Sequence, residues 1–330
     1  MSDTVLVTGA TGFIGSAVAR RLLDAGYTVR TLVRESSRLD NLRGLDVELF
    51  VGDLRVPDSL VRAMKGCDGL FHVAADYRLW ARSPHEIYAS NLRGSRNIVL
   101  AAVRAGVGRI VYTSSVATLG LPADGSQGDE ETPVNASGMI GHYKRSKFLA
   151  EQKVRKLADK EGLDVVIVNP SAPVGPRDIK PTPTGRLILD AARGRMPAYV
   201  DTGLNVVHVD DVAIGHLQAY EHGARGRRYI LGGEDMTLQQ IIMSAAAVAG
   251  RKPRLVRMPH NVVMPFAYLA EGVAQLTGRA PTLTVAGAKL AKKKMFFSHA
   301  RADRELGYQP RPAKAAFVDA VEWFRSNGYF

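Results

Sequence analysis

Short apolar runs and amphipathic stretches alternate through the first half of the chain. Val5-Leu6-Val7 is apolar throughout, as a strand covered on both faces would be. The next stretch places Ile14, Val18 and Leu22 at a spacing of four, along one face of a helix. The same pattern predicts strands at Thr28–Val33, Val47–Val51, Leu70–Val73, Ile110–Thr113 and Val165–Val168. Helices are predicted near 58–65, 84–106 and 143–161. Fully apolar strands alternating with helices give an α/β fold with a doubly wound parallel sheet.

After Pro170 the pattern changes. Pro170, Pro173, Pro176, Pro181 and Pro183 break the chain into loops before a helix near 184–193. Isolated strands follow at Val206–Val209 and Tyr229–Leu231. The expected division is a cofactor-binding domain over 1–172 and a smaller, mainly substrate-binding lobe over 173–330. The strands near 206–231 are expected to return to the main sheet. The lobe would lie over the carboxyl edge of the strands, where such folds bind ligands.

Composition narrows the classes. A chain of 330 residues with 46% apolar and 23% charged residues is ordinary globular protein. The single cysteine, Cys67, rules out an internal disulfide framework and fits a reducing cytoplasm, and its setting before an apolar run reads as packing. No secretion signal is read at Met1-Ser2-Asp3-Thr4, so a cytoplasmic location is expected. The stretch Val262–Leu276 is interrupted by Glu271 and Gln275 and is too short and polar to span a bilayer. The net charge of +12 is spread along the chain without a nucleic-acid module, so nucleic acid is not an expected partner. A positive field instead suits phosphorylated cofactors and nucleotide-linked substrates. Lys292-Lys293-Lys294 reads as a solvated face, or, with Met295, Phe296 and Phe297, as a peripheral membrane contact. No group of His, Cys and acidic residues has metal-ligand spacing, and no metal is expected.

Gly9-Ala10-Thr11-Gly12-Phe13-Ile14-Gly15 falls between the first strand and first helix, where a Rossmann-type fold wraps a pyrophosphate. Gly9, Thr11, Gly12, Phe13, Ile14 and Gly15 are the candidate contacts. In NAD enzymes an acidic residue about 20 positions on bonds the ribose 2′-hydroxyl. Here the second strand ends Leu32-Val33-Arg34, followed by Ser36, Ser37 and Arg38. A cation there suits a 2′-phosphate, so NADP is expected, with NAD the alternative.

Tyr143 and Lys147 are four residues apart and share one face of a helix. A phenol near pKa 10 does little proton transfer at neutral pH unless its anion is stabilised. A neighbouring ammonium and an oxidised nicotinamide would both stabilise it. Thr113-Ser114-Ser115 ends the fifth strand, where a hydroxyl can reach both a substrate carbonyl and the tyrosine.

The GxxGxxG spacing with Ser115, Tyr143 and Lys147 in this order resembles the extended branch of the short-chain dehydrogenase/reductase superfamily. The resemblance runs through most of the chain. It implies that Ser115, which lies five positions before Gly120, is catalytic together with Tyr143 and Lys147. It also implies that Lys147 bonds the nicotinamide ribose, that Asp53 beside Leu54 bonds the adenine amino group, and that Ala74-Ala75 lets the cofactor lie flat. Thr113 and the loop carrying Pro170, Ser171 and Val174 complete the implied cofactor contacts. Asn91-Leu92-Arg93-Gly94-Ser95-Arg96-Asn97 is similar to the family's NxxGTxN segment, with serine replacing threonine. Val207-His208-Val209-Asp210-Asp211-Val212-Ala213 is similar to its HVDDVA signature.

Ala75-Asp76-Tyr77-Arg78-Leu79-Trp80 and the segment Gly141–Lys147 look like the dihydroflavonol-reductase-like group. Within it they are most similar to the bacterial hopanoid-associated sugar epimerases, a name implying hopanoid biosynthesis. The activity this implies is NADP-dependent hydride transfer to or from a carbonyl or alcohol carbon, with Tyr143 as general acid/base. Epimerisation of a nucleotide sugar on a retained nicotinamide is the alternative. A non-catalytic NADP-binding sensor or scaffold is a third reading, whose mark would be loss of the tyrosine or lysine. The substrate would be a nucleotide sugar or a ring-containing carbonyl compound, facing Tyr77, Trp80, Met139, Thr184 and His208. A homodimer through the helices near 84–106 and 143–161 is also implied.

Overall fold

Val5, Leu6 and Val7 are fully buried in β1 (Thr4–Thr8), the strand from which the sheet is built outward. The structure is a computed structural model describing residues 3–278, 280, 281 and 283–330. The chain continues through α1 (Phe13–Asp24), β2 (Thr28–Val33), β3 (Glu48–Val51), α2 (Pro57–Met64) and β4 (Gly69–His72). Then come α3 (His85–Tyr88), α4 (Gly94–Ala105), β5 (Arg109–Thr113), α5 (Gly141–Glu161) and β6 (Asp164–Pro170). The middle of the chain carries β7 (Ala172–Val174), α6 (Pro183–Ala192), β8 (Ala198–Tyr199), β9 (Gly203–His208), α7 (Val209–His222) and β10 (Arg228–Leu231). It continues with β11 (Glu234–Thr237), α8 (Leu238–Val248), β12 (Val256–Arg257) and α9 (His260–Thr277). The chain closes with α10 (Val285–Leu290), β13 (Lys294–Met295), α11 (Ala300–Leu306) and α12 (Ala313–Ser326).

Seven strands form one parallel sheet in the order β10-β6-β5-β4-β1-β2-β3, so the chain reverses direction across the sheet between β1 and β4. Ligands of such sheets bind at the carboxyl edge beside that reversal. One face packs on α1, α7 and α11 through Val18, Leu22, Val212, Leu217 and Leu306. The other packs on α2, α4 and α5 through Leu60, Ile98, Val154 and Leu157. This is the doubly wound sheet that the apolar strands predict. Of the spacing-four set, Val18 and Leu22 are buried, whereas Ile14 is partly buried at the edge of the core.

The two late strands part company. Tyr229–Leu231 does rejoin the main sheet, in β10, beside β6. Val206–Val209 does not: β9 pairs with β7, β11 and β13 in a second, four-stranded sheet. That sheet rests on α6, α8 and α12, which bury Ile188, Ile241, Ile242, Phe317 and Phe324. Cys67 is buried, and its thiol donates to the carbonyl oxygen of Ala63.

Candidate active site

The glycine turn is shaped by backbone approach. A Cβ on Gly9, whose φ is +77°, would lie 2.7 Å from the amide nitrogen of Ala74. A Cβ on Gly15 would lie 2.1 Å from the carbonyl oxygen of Gly9, so only glycine lets α1 start this close to β1. Gly12 caps α1, and its amide donates to the Gly9 carbonyl at 2.9 Å. Buried Asn41 holds the turn from below, its Nδ2 donating to the carbonyls of Thr11, Gly12 and Arg177. Phe13 and Ile14 are partly buried in the first turn of α1.

Arg34 stands exposed just beyond β2 and, among the described residues, forms no ion pair. Asp53 sits beyond β3, where Arg55 grips both carboxylate oxygens at 2.9 and 2.7 Å. That hydrogen bond, opposed by burial, holds its pKa below the usual carboxylate value, and the Arg34 charge adds to the lowering. Leu54 packs under Gly94, and its carbonyl accepts from Asn97 Nδ2 at 2.9 Å. Ala74 and Ala75 follow β4, with the Ala74 amide on Thr8 Oγ1. Pro170 ends β6, and Val174 is buried in β7. Ser171 Oγ between them is buried without a hydrogen-bond partner among the described residues.

The chemistry gathers where β5 ends and α5 begins. Ser115 caps the short turn Val116–Thr118, its Oγ accepting from the Ala117 amide at 3.1 Å. The same hydroxyl lies close enough to the Tyr143 phenol to pull its pKa down. Lys147 is buried one turn further along α5, its Nζ donating to the Thr113 carbonyl at 2.7 Å and lying 5.3 Å from the centre of the Tyr112 ring. Burial lowers its pKa to about 8, against the opposing pull of Glu151. Burial raises Tyr143 above its ordinary value, with only the Ser115 hydrogen bond acting the other way. The protein's own groups therefore do not produce the lowered phenol that the sequence leads one to expect.

Supporting groups lie behind this cluster. Glu151, buried and not singled out from the sequence, is reached by the hydroxyls of Ser114 and Thr118 and by Asn169 Nδ2. Asn91 sits in the π-helical turn Ala89–Arg93. Its Oδ1 accepts from the Asp76 amide at 2.7 Å, while Nδ2 donates to the Asp76 carbonyl and to Ser146 Oγ, both at 2.9 Å. It thus ties the loop after β4 to α5. Thr113 Oγ1 donates to His216 Nε2, whose Nδ1 hydrogen goes to the Val212 carbonyl.

The candidate substrate residues divide. Tyr77 donates to the Lys180 carbonyl at 3.5 Å, joining the loop after β4 to the loop before α6. Trp80 is partly buried in the former loop, and Thr184 is partly buried in the first turn of α6. Met139 is buried just ahead of α5. His208 is not in the cleft. It is fully buried, accepts the Asp210 amide on Nδ1 and bonds Asp319 through Nε2, so it serves as the cap of α7. Asp178 was not foreseen. It is buried in the same loop as Lys180, and its Oδ2 accepts both the amide and the hydroxyl of Thr182 at 2.8 Å. Burial raises its pKa to about 6.

A depression of about 330 Å³ lined by Gly233, Tyr308 and Arg311, among others, shares no residue with this cluster. Among known proteins, the profile of the NAD dependent epimerase/dehydratase family matches residues 5–232. A Synechocystis sp. protein provisionally named dihydroflavonol 4-reductase is 46% identical over 333 residues, covering 100% of this chain and 96% of that one. Sterol demethylase protein B of Methylococcus capsulatus is 38% identical over 328 residues, covering 98% and 99%. The solved structure of the protein gox2253 matches with a TM-score of 0.89 at 52% identity, covering 99% of both chains.

Proposed function

The chain is an enzyme of the NAD dependent epimerase/dehydratase family, in the extended short-chain dehydrogenase/reductase class, and from that premise we propose NADP-dependent hydride transfer on a ring-containing carbonyl or alcohol. The observation that carries this is the grouping of Ser115, Tyr143 and Lys147 on the sheet edge that also holds the glycine turn. The residues present fit the cofactor: the tight Gly9–Gly15 turn leads into the amino end of α1, Ser171 Oγ lacks a partner among the described residues, and Arg34 is available to a 2′-phosphate. When bound, the nicotinamide supplies or accepts the hydride.

Tyr143 gives its phenolic proton to the substrate oxygen as negative charge develops there, and takes it back in the reverse direction. Ser115 accepts the Ala117 amide, so its own proton is free to point at that oxygen. Lys147, fixed by the Thr113 carbonyl, would hold the nicotinamide ribose when the cofactor binds. Burial raises the Tyr143 pKa, so the phenol enters the reaction carrying the proton it would donate. The names of the two relatives refer to a dihydroflavonol and a sterol, both ring compounds, which favours such a substrate over a nucleotide sugar. Tyr77, Trp80 and Thr184 are the side chains we assign to it. Epimerisation remains the second reading, favoured by the family's description.

The test is turnover of NADPH by the purified enzyme and its Tyr143→Phe variant, over a panel of polycyclic ketones and nucleotide sugars. The variant should bind NADPH normally and lose about 10²–10⁴-fold in rate. Undiminished turnover would remove Tyr143 from the mechanism. Interconversion of sugar isomers without net cofactor change would move the assignment to an epimerase. The reading includes a cytoplasmic homodimer through α4 and α5. The outward Arg145, Lys153 and Lys156 of α5 would then face like charges, so association should strengthen with salt in sedimentation.

A further inference from the structure

Fourteen large apolar side chains are exposed among the described residues, and six of them lie on α9. Val262, Phe266, Leu269, Val273 and Leu276 recur at alternating steps of four and three. At 3.6 residues per turn they fall within about 80° of arc, as one stripe roughly 21 Å long. Leu269 is 67% and Leu276 88% exposed. Ala267 and Ala274, seven apart, face inward instead. The helix has one carboxylate, Glu271, and it accepts the Val285 amide at 2.7 Å, capping α10 rather than interrupting the stripe. None of the helices is long and apolar enough to cross a membrane among the described residues.

The surroundings of the stripe are basic. Residues 251–295 contain nine Lys or Arg and one acidic residue, Glu271, a net of +8 out of the chain's +12, with Arg257 and Lys294 sharing an ion pair to Asp201. Arg251, Lys252, Arg254, Lys289, Lys292 and Lys293 are exposed. His260 Nε2 donates to the Ala291 carbonyl at 2.6 Å, which brings the lysine end of α10 to the amino end of α9. The aromatic residues beside the lysines are not the exposed ones. Phe297 is buried with Val116, Leu119 and Ile230, and Phe296 packs against Gly203.

We propose that the α9 stripe and its basic flank dock this enzyme on a bilayer surface containing anionic lipid, with the helix lying in the plane of the interface. An apolar stripe rimmed by cations matches a headgroup layer over acyl chains. A second copy is a poor occupant, since a two-fold contact would bring two +8 regions together. The docked face adjoins the site. A Cβ on Gly141, at the start of α5, would sit 3.0 Å from Ala286 of α10, and Gly278 lies near Arg82, two residues after Trp80. The loop after β4 and the first turn of α5 are thereby held at the membrane side of the molecule.

Flotation of the full chain tests this without any substrate. The probes are vesicles of phosphatidylcholine alone and of phosphatidylcholine with phosphatidylglycerol. The wild type should float with the mixed vesicles at low salt, and less at high salt. Leu269→Glu with Leu276→Glu should cut the floated fraction at least about tenfold, and Lys289→Ala with Lys292→Ala should abolish the preference for the anionic vesicles. All four positions face solvent or lie at the rim, so melting temperature and NADPH binding should match wild type. Wild type left at the bottom of the gradient overturns the proposal. So does undiminished flotation of the double glutamate variant, or a lipid-free dimer that this variant dissociates.

Discussion

At the scale of single residues, charge placement decides the sharpest expectations. Arg34 is exposed and forms no ion pair among the described residues, so Arg34→Asp should leave the fold intact. It should reverse the preference between NADP and NAD, read as the ratio of their dissociation constants. An unchanged ratio would unseat the cofactor assignment. Asp178 offers a pH prediction. Its folded pKa, about 6, lies above the ordinary aspartate value of 3.8, so folding is helped while the carboxyl holds its proton. That help is complete below 3.8 and is lost as pH rises through 6. Asp178→Asn keeps an acceptor for Thr182 and removes the titration. Its melting temperature relative to wild type should therefore rise between about pH 4 and about pH 7, and a constant difference would show that the carboxyl stays ionised.

At the scale of elements, the approach of α1 to β1 is the tightest joint near the cofactor turn. Gly15→Ala puts a methyl group against backbone that cannot rotate away, so α1 must shift, at about 1–3 kcal/mol. Calorimetry should show the loss, with NADPH affinity falling as well. Gly272→Ala in α9 is the opposite case. The added methyl meets open space, and helix propensity should stabilise by up to about 1 kcal/mol.

These elements also show how far the sequence could be read. The strands of the main sheet and the set Ser115, Tyr143 and Lys147 are marked by apolar runs and fixed spacings, which are local properties. The π-helical turn around Asn91 is invisible because one extra residue per turn barely disturbs the apolar pattern. β12 and β13, of two residues each, are too short to show a period. His208 reads as a substrate-facing residue until tertiary contacts with Asp319 occupy it, and Glu151 becomes conspicuous only when Ser114 and Asn169 converge on it.

At the scale of the molecule, the chain does not fold as two successive beads. It builds six strands, leaves for β7, α6 and β9, returns for α7 and β10, leaves again through β13, returns for α11 and ends on α12 in the second core. Residues 1–172 alone would lack α7, which covers one face of the sheet. Calorimetry should therefore show one cooperative transition. NADPH at a hundred times its dissociation constant should move it as a whole, adding about 2.7 kcal/mol. Two separable transitions, only one of them sensitive to cofactor, would contradict this.

The return of β10 to β6 has a consequence during synthesis. Their paired registers join residues near 168 to residues near 229, so the outer edge of β6 stays open while some 60 further residues are made. At about 5–20 residues per second that is roughly 3–12 s in which a nascent, apolar strand edge is offered to any passing chain. Yield in the cell should thus depend on translation speed across 171–228 and on chaperone supply, even when the finished enzyme is stable.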